Sequence, residues 1–340
     1  MKNLFYYAKK ELSQDALLLW IFDNYQDEII GCVARELLTE FCKLKADEII
    51  EELSVYAQWK RIDVSVFIKT NLRNVGLFIE DKTFTNEHNQ LSVYDKAISQ
   101  YEIKYGKENI YKVFYKTSVI DNTDTDNIQS INQANLQNNG SEWVIYDIKS
   151  IFKLFENYSN CGNLILEQYI DYLKKIFDLV NNCELPRNSK TQEDFISWKV
   201  FFNNAVIPKL GIPDVNYSVK VYRGKFTYLQ AFKYGYDKLP YLEFRSCDLV
   251  NGKVKALLLC YGVEDNQTTV MWQKKTIEAI KQDKIFDSKR IVTKRNGKDI
   301  LPKQIAVSPQ NVSYETVDDL VNCIREYAEY YLKLMKSWRK

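Results

Sequence analysis

Two apolar segments separated by a short turn constrain the fold of this chain more than any other feature. Residues 61–68 and residues 75–82 have compositions typical of strands, and Asn71-Leu72 lies midway between them. If the two strands form one antiparallel hairpin, the numbers of paired residues sum to 143 and Asp63 lies directly opposite Glu80. Directly opposed side chains share one face of a sheet, with Cβ atoms roughly 5 Å apart. The pattern therefore predicts two carboxylates side by side.

The charge of this carboxylate pair predicts a bound cation. Lys82 shares the face of Glu80, because strand side chains alternate with a period of two, and Asp81 points to the opposite face. Like charges opposed on a sheet destabilise it unless something positive lies between them. A divalent cation with an ammonium group beside it meets that requirement, and the layout is typical of a metal-dependent phosphodiester hydrolase. A purely structural ion-pair cluster of Asp63, Glu80 and Lys82 is the alternative interpretation.

The remaining residue types exclude several kinds of site. His88 is the one histidine, which rules out multi-histidine zinc centres. Its position in a polar turn predicts that it has no catalytic role. The chain contains neither G-x-x-x-x-G-K-[ST] nor G-x-G-x-x-G, so the usual phosphate-binding loops are missing. Its seven cysteines are scattered and include no C-x-x-C pair, which predicts reduced thiols in a cytoplasmic protein. No apolar stretch approaches the roughly 20 residues of a membrane span.

Hydrophobic periodicity predicts an α/β fold in the first half of the chain. Helical spacing extends from about residue 4 to residue 53, with Ser13 as a helix N-cap, and the period then changes to two for three strands. A helix over residues 86–101 and a strand over residues 110–116 follow. Residues 119–140 are polar and predict a long loop, and residues 143–181 predict further helix.

The second half has a different pattern and predicts a separate domain. At 340 residues the chain is long for a single domain, and residues 182–192 are the best boundary. We therefore expect a core domain with a helical extension over residues 1–182 and an α+β domain over residues 193–340. Asn251-Gly252 predicts a type I′ hairpin turn in the second domain, and Thr316 with Asp319 predicts the capping box of a final helix.

A basic stretch in the second half predicts either nucleic-acid binding or a surface of skewed composition. Residues 271–304 carry ten Lys or Arg against four Asp or Glu, although the net charge of the whole chain is only +2. A local excess of this kind can form an electrostatic footprint for a polyanion. Composition alone leaves both interpretations open.

Four segments together give the chain a likeness to a known family. They are LFYYAKKELSQDALLLWIF at the start, the strands KRIDVSVFI and LFIEDK, and the helix bearing Gln90-x-x-x-Tyr94. The chain resembles the PD-(D/E)XK nuclease superfamily, with its closest likeness to stand-alone bacterial members related to RecB-type nuclease domains. The resemblance covers residues 1–120 and extends more loosely to about 180. It implies a restriction-endonuclease-like core of helix, three strands that start antiparallel, helix and strand.

The resemblance also implies a metal site. Mg²⁺ or Mn²⁺ would be held by the carboxylates of Asp63 and Glu80, by the backbone carbonyl of Asp81, and by Glu11 at the end of the first helix. Such a ligand set suits Mg²⁺, which takes a few oxygen ligands and keeps several waters. For Glu11, a solvent-facing position is the alternative. Ile62 precedes Asp63 where the family motif has proline, a departure that leaves the ligand in place.

Three further residues receive roles from the resemblance. Lys82 would hold or deprotonate the attacking water, and Gln90 and Tyr94 would contact the substrate phosphate and brace the site. Gln90 could instead be an exposed helix residue. Tyr94 lies on the apolar stripe of its helix, which favours a place in the core, although a core tyrosine can still direct its hydroxyl at the site.

The expected function is that of an intracellular, Mg²⁺-dependent deoxyribonuclease, in genome defence or DNA repair, with no membrane association. A second hypothesis is a catalytically silent module on a nuclease-like scaffold, with residues 193–340 as its DNA-binding or protein-binding surface. RNA cleavage is a third, because neither the metal site nor the basic stretch distinguishes the sugar. The sequence leaves the oligomeric state and the choice between endonuclease and exonuclease open.

Overall fold

The computed structural model describes most of the first half of the chain and part of the second. The described residues are 3–6, 11–83, 90–120, 122–182, 184–213, 215–222, 226–233, 241–249, 252, 257–260, 274–275, 278, 282, 294–295, 298–299, 304–307 and 313–337. The chain divides into two compact units, Met1–Asn181 and Asn182–Lys340. His88 and most of the basic stretch at 271–304 lie outside the described residues.

The first unit is built on a five-stranded mixed sheet. In spatial order its strands are β1 (Ile50–Trp59), β2 (Ile62–Thr70), β3 (Asn74–Lys82), β4 (Ile110–Lys116) and β5 (Trp143–Tyr146). The pairs β1–β2 and β2–β3 are antiparallel, whereas β3–β4 and β4–β5 are parallel. This α/β architecture confirms the predicted restriction-endonuclease-like core, three strands that start antiparallel and a fourth that returns parallel after a helix.

Helices cover both faces of this sheet. They are α1 (Glu11–Asp23), α2 (Ile30–Cys42), α3 (Leu91–Tyr105), α4 (Asn122–Gln137), α5 (Ile148–Phe155) and α6 (Leu164–Asn182), with 3₁₀ turns at Leu4–Tyr6, Lys107–Asn109 and Glu156–Tyr158. On one face, Tyr94 and Ile98 of α3 pack with Phe78 and Phe114 of the sheet. Helices α1 and α2 pack against strands of the same sheet, and Gln14 of α1 binds Asp81 on the face opposite Phe78.

Three local predictions for the first unit were wrong. The predicted loop at 119–140 contains helix α4, whose composition is polar because only a narrow stripe, including Asp124 and Ile128, is buried. Residues 143–146 form strand β5 rather than helix, since an apolar run this short fits either structure. Ser13 lies inside helix α1, whose described part starts at Glu11, and is not its N-cap.

The second unit combines helices with a second five-stranded sheet. Its described elements are α7 (Gln192–Phe201), a π-helical turn (Phe202–Val206), α8 (Ile207–Leu210), β6 (Val215–Tyr222), β7 (Phe226–Lys233), β8 (Tyr241–Arg245), a 3₁₀ turn (Ser246–Asp248), β9 (Leu257–Cys260), β10 (Lys294–Arg295), β11 (Lys298–Asp299), β12 (Gln304–Val307) and α9 (Val317–Ser337). The sheet order is β12-β9-β8-β7-β6, with every neighbouring pair antiparallel.

Two turn and cap predictions in this unit had different outcomes. Thr316 and Asp319 form the predicted capping box, with N–H···O distances of 3.2 Å and 3.0 Å between them. The paired strands β8 and β9 are separated by eleven residues, so Asn251-Gly252 is not a two-residue turn between them. Among the helices that the structure describes, none is both long and apolar enough to cross a bilayer.

Candidate active site

The β2–β3 hairpin has the predicted register. Cα partners run from Val64 and Ile79 to Lys69 and Asn74, and every pair sums to 143. The turn at Asn71-Leu72 is closed by a 2.9 Å hydrogen bond from the Thr70 N–H to the Arg73 carbonyl. One step beyond the last of these pairs, the same register brings Asp63 opposite Glu80. The two acids therefore lie side by side at the end of the hairpin.

Glu80 is an acid held almost completely out of water. Its side chain is only 1% exposed, and its Oε1 pairs with the Lys82 ammonium. The pKa of Glu80 is raised to about 8, mainly by burial and then by the charge of Asp63, and the nearby Lys82 ammonium only partly offsets this rise. At neutral pH the raised pKa therefore favours the protonated form of Glu80.

Asp63 is more accessible than Glu80 and is oriented by two donors. The backbone N–H of Asp81 donates to its Oδ2 at 2.9 Å, and Gln58 Nε2 of β1 donates to its Oδ1 at 2.8 Å. These bonds fix the carboxylate at the edge of the sheet while leaving it partly exposed. Such support is what keeps a ligand in one rotamer before the ion arrives. Sequence reasoning missed Gln58, because its partner lies on another strand.

Lys82 has a second lysine beside it. Strands β3 and β4 pair Lys82 with Lys116, so the two side chains lie on the same face. Lys116 forms an ion pair with Asp124 of α4, and neither side chain reaches solvent. Two adjacent ammonium groups would repel one another, and the Asp124 carboxylate offsets one of them. Sequence reasoning missed this pair because it placed Asp124 in a loop.

Asp81 faces away from Glu80, as predicted, and anchors α1. Its buried carboxylate accepts a hydrogen bond from Gln14 of α1, whose Oε1 in turn accepts one from the Thr117 hydroxyl at 2.9 Å. The Thr117 N–H donates to the Lys82 carbonyl at 3.1 Å. Helix α1 is thereby attached to both β3 and β4 next to the acids.

The other residues named from the family resemblance have varied positions. Glu11 is the first described residue of α1, and its side chain is outside the part of the chain that can be described. Gln90 immediately precedes α3 and its carbonyl accepts from the Tyr94 N–H at 3.1 Å. Tyr94 is buried in the apolar cluster beneath α3, as its position on the apolar stripe predicted.

The residues present fit a small hard cation, although the described part of the ligand set is incomplete. No group of three or more His, Cys, Asp or Glu side chains among the described residues is arranged to hold a metal. Asp63 and Glu80 supply two carboxylates, and Glu80 Oε2 is a buried oxygen that accepts no hydrogen bond from any described residue. An oxygen of that kind suits Mg²⁺, which needs few protein ligands because it keeps its waters. The ligand roles of Glu11 and of the Asp81 carbonyl remain predictions.

Comparison with known proteins gives one match. A family profile described as the PD-(D/E)XK nuclease superfamily matches residues 3–174, which is just over half of the chain. Searches of curated proteins and of solved structures returned no match. The matched segment contains α1, the β2–β3 hairpin and the first five-stranded sheet. With its motif acids side by side on that hairpin, the chain belongs to the PD-(D/E)XK nuclease superfamily.

Proposed function

We propose that this protein is a metal-dependent nuclease that hydrolyses DNA phosphodiester bonds at the end of the β2–β3 hairpin. The observation that carries the proposal is the pair formed by Asp63 and buried Glu80, with Lys82 on the same face. In a member of a nuclease superfamily, the combination of two carboxylates and one ammonium group supports Mg²⁺ or Mn²⁺ as the cofactor.

The proposed division of labour follows from the surroundings of each side chain. The bound ion would lower the pKa of a coordinated water and offset charge on the phosphate. Asp63 holds its orientation through the Gln58 and Asp81 N–H donors and so presents a fixed ligand oxygen. Glu80 must release its proton before it can bind the ion. Lys82 would hold the attacking water or stabilise the charge that develops on the phosphate.

The remaining roles are proposed from the family motif and from charge. Glu11 and the Asp81 carbonyl would complete the ligand set, and Gln90 and Tyr94 would contact the substrate phosphate or brace the site. The second unit, with the basic stretch at 271–304, would bind nucleic acid or a partner protein. Scattered free thiols, among them Cys32 and Cys161, support a reducing cytoplasmic setting, where such a nuclease would act in genome defence or DNA repair.

The test is cleavage of linear, circular and single-stranded DNA with Mg²⁺ or Mn²⁺. We expect Asp63→Ala and Lys82→Ala to abolish metal-dependent cleavage, whereas Glu52→Ala and Lys69→Ala, which remove exposed charges from the same sheet, should leave it unchanged. Undiminished cleavage by both site variants would eliminate the proposal. RNA of the same sequence is included as a parallel substrate, and comparing its cleavage with that of DNA shows whether the enzyme requires deoxyribose.

Calorimetry with Mn²⁺ separates this proposal from the catalytically silent alternative. The nuclease requires Mn²⁺ binding that Asp63→Ala removes, with the far-UV circular dichroism of the variant unchanged. A correctly folded wild-type protein that binds no Mn²⁺, and cleaves nothing, would favour a scaffold that only binds DNA or protein. The same titration at two pH values also reports whether a proton leaves as the ion binds.

A further inference from the structure

The turn between β1 and β2 lies next to Asp63 and has an unusual backbone. Trp59 pairs with Ile62, so Lys60 and Arg61 are the two central residues of a two-residue hairpin turn. Their φ angles are +53° and +74°. Positive φ at both central positions is the mark of a type I′ turn, in which Asn-Gly is the preferred pair.

Lys60 and Arg61 are poor choices for this conformation. In the left-handed region the Cβ of an L residue approaches the following carbonyl oxygen, and only Gly, Asn and Asp adopt it readily. Gln58, two residues earlier, also has a positive φ of +53°. Three such residues within four positions store backbone strain, which persists where the surrounding structure enforces it and clusters at functional sites. Asn-Gly would form the same hairpin with less strain.

The strained turn is attached to the proposed metal ligand. Gln58 lies opposite Asp63 in the β1–β2 register, and its side chain donates to Asp63 Oδ1 at 2.8 Å. Arg61 precedes Asp63 by two residues, a separation of about 7 Å along an extended chain. Both Lys60 and Arg61 are exposed, and neither forms an ion pair with any residue that the structure describes. Two cations that pair with no acid in the described part of the chain thus lie at the edge of an acidic site.

We propose that Lys60 and Arg61 bind the phosphate backbone of DNA beside the phosphodiester bond to be cleaved. The inference rests on the proposed nuclease function and adds a substrate-binding element to it. Lys and Arg at this position would offset the repulsion between the phosphates and the two site carboxylates. Contacts of this kind position the strand and do not depend on its sequence.

Binding can be measured without cleavage, in EDTA, by the anisotropy of a fluorescein-labelled 20-base-pair DNA and of its single strand. Lys60→Asn/Arg61→Gly removes both charges and relieves the turn, whereas Lys60→Gln/Arg61→Gln removes the charges and keeps the strain. We expect both double variants to weaken binding about tenfold or more at 0.1 M salt and to reduce the slope of log K against log salt by about 2. Only the Asn/Gly variant should raise the Tm, by about 2–4 °C.

Lys43→Asn is the matched control. Lys43 also has a positive φ, +51°, and an exposed charge, but its carbonyl accepts from Arg73, which follows the far end of β2. This variant should leave DNA binding unchanged. Equal loss of binding in Lys43→Asn, or unchanged binding in the two turn variants, would overturn the inference.

The outcome is separable from that of the proposed function. If the wild-type protein cleaves DNA while Lys60→Gln/Arg61→Gln binds normally, only the turn inference fails. If the turn variants lose binding but the wild-type protein cleaves nothing with Mg²⁺ or Mn²⁺, only the hydrolytic function fails and the inference stands. A wild-type protein that binds no DNA overturns both.

Discussion

Replacing Glu80 by Gln tests whether the site stores an unfavourable charge when no metal is bound. Glutamine has the shape of a protonated glutamate, which is the form that the buried position favours. The pKa of Glu80 is raised from 4.5 to about 8 by burial and by the charge of Asp63. Folded wild-type protein therefore keeps this proton up to about pH 8, whereas the unfolded chain releases it near pH 4.5.

The sign and size of the effect follow from linkage. Between about pH 4.5 and pH 8 the folded state binds one proton more than the unfolded state, so the free energy of unfolding of the wild-type protein falls as pH rises. A pKa raised from 4.5 to about 8 corresponds to a loss of about 5 kcal/mol at most, since each pKa unit is worth about 1.4 kcal/mol. The glutamine side chain does not ionise, so the Glu80→Gln variant should become the more stable protein above about pH 8.

Urea unfolding in EDTA at pH 5 and at pH 8.5 measures this difference. We expect the stability advantage of Glu80→Gln to be about 2–4 kcal/mol larger at pH 8.5 than at pH 5, within the limit set by the pKa. Adding Mn²⁺ at pH 8.5 should stabilise the wild-type protein and reduce the advantage, because the ion binds only the ionised folded site. An advantage that is the same at both pH values would refute the reasoning.

Glu48 is a control of opposite sign at the other end of the sheet. Burial tends to raise the pKa of Glu48, but hydrogen bonds from Arg73, the Lys45 N–H and Thr70 outweigh it, and the pKa is lowered. Glu48 therefore stabilises the folded state when ionised, and this contribution is lost as the pH falls through its lowered pKa. Glu48→Gln should destabilise the protein at pH 8.5 and should leave Mn²⁺ binding unchanged.

Two further substitutions test the supports around the site. Gln14→Ala removes the side chain that bridges the Asp81 carboxylate and the Thr117 hydroxyl. It should lower the free energy of unfolding in urea by about 1–3 kcal/mol and weaken Mn²⁺ binding in calorimetry. Unchanged stability would mean that α1 is held by packing alone. Asp124→Ala should lower the free energy of unfolding by about 3–5 kcal/mol in the same assay, because it removes the carboxylate that pairs with the buried Lys116 ammonium. Lys116→Met/Asp124→Leu should recover most of that loss. A double variant no more stable than Asp124→Ala would contradict the ion-pair argument.

The sequence predicted the hairpin well because its register depends on local information. Strand alternation and the position of the Asn71-Leu72 turn together determine which residues face one another, and a slip of one residue would turn every apolar side chain of β2 to the other face. The pairing of Asp63 with Glu80 followed from that register. Position, however, does not reveal burial, and the raised pKa of Glu80 depends on how tightly the sheet and the helices close around it.

The supports were not predictable, because each joins elements that are distant in the sequence. Gln14 and Asp81 are 67 residues apart, and Gln14 and Thr117 are 103 apart. Helix α4, which brings Asp124 to Lys116, has too few apolar residues for a periodicity signal, and the buried Asp124 occupies part of its core-facing stripe. A single sequence offers no pattern from which a polar contact of this range follows.

Electrostatic interactions that stabilise the folded protein lie at one end of the β2–β3 hairpin, and those that destabilise it lie at the other end. At the turn, the Arg73 guanidinium donates to Glu48, to Asn109, to the Tyr111 hydroxyl and to the Cys42 carbonyl, so the buried acid there is fully supported. At the other end, Glu80 is buried next to a second acid, and the adjoining β1–β2 turn has a strained backbone. Selection for stability alone does not explain the residues at this second end. Glutamine in place of Glu80 and Asn-Gly in place of Lys60-Arg61 would give a more stable fold there. The ordered end can hold the hairpin register while the opposite end keeps the charges that a cation and a polyanion would neutralise.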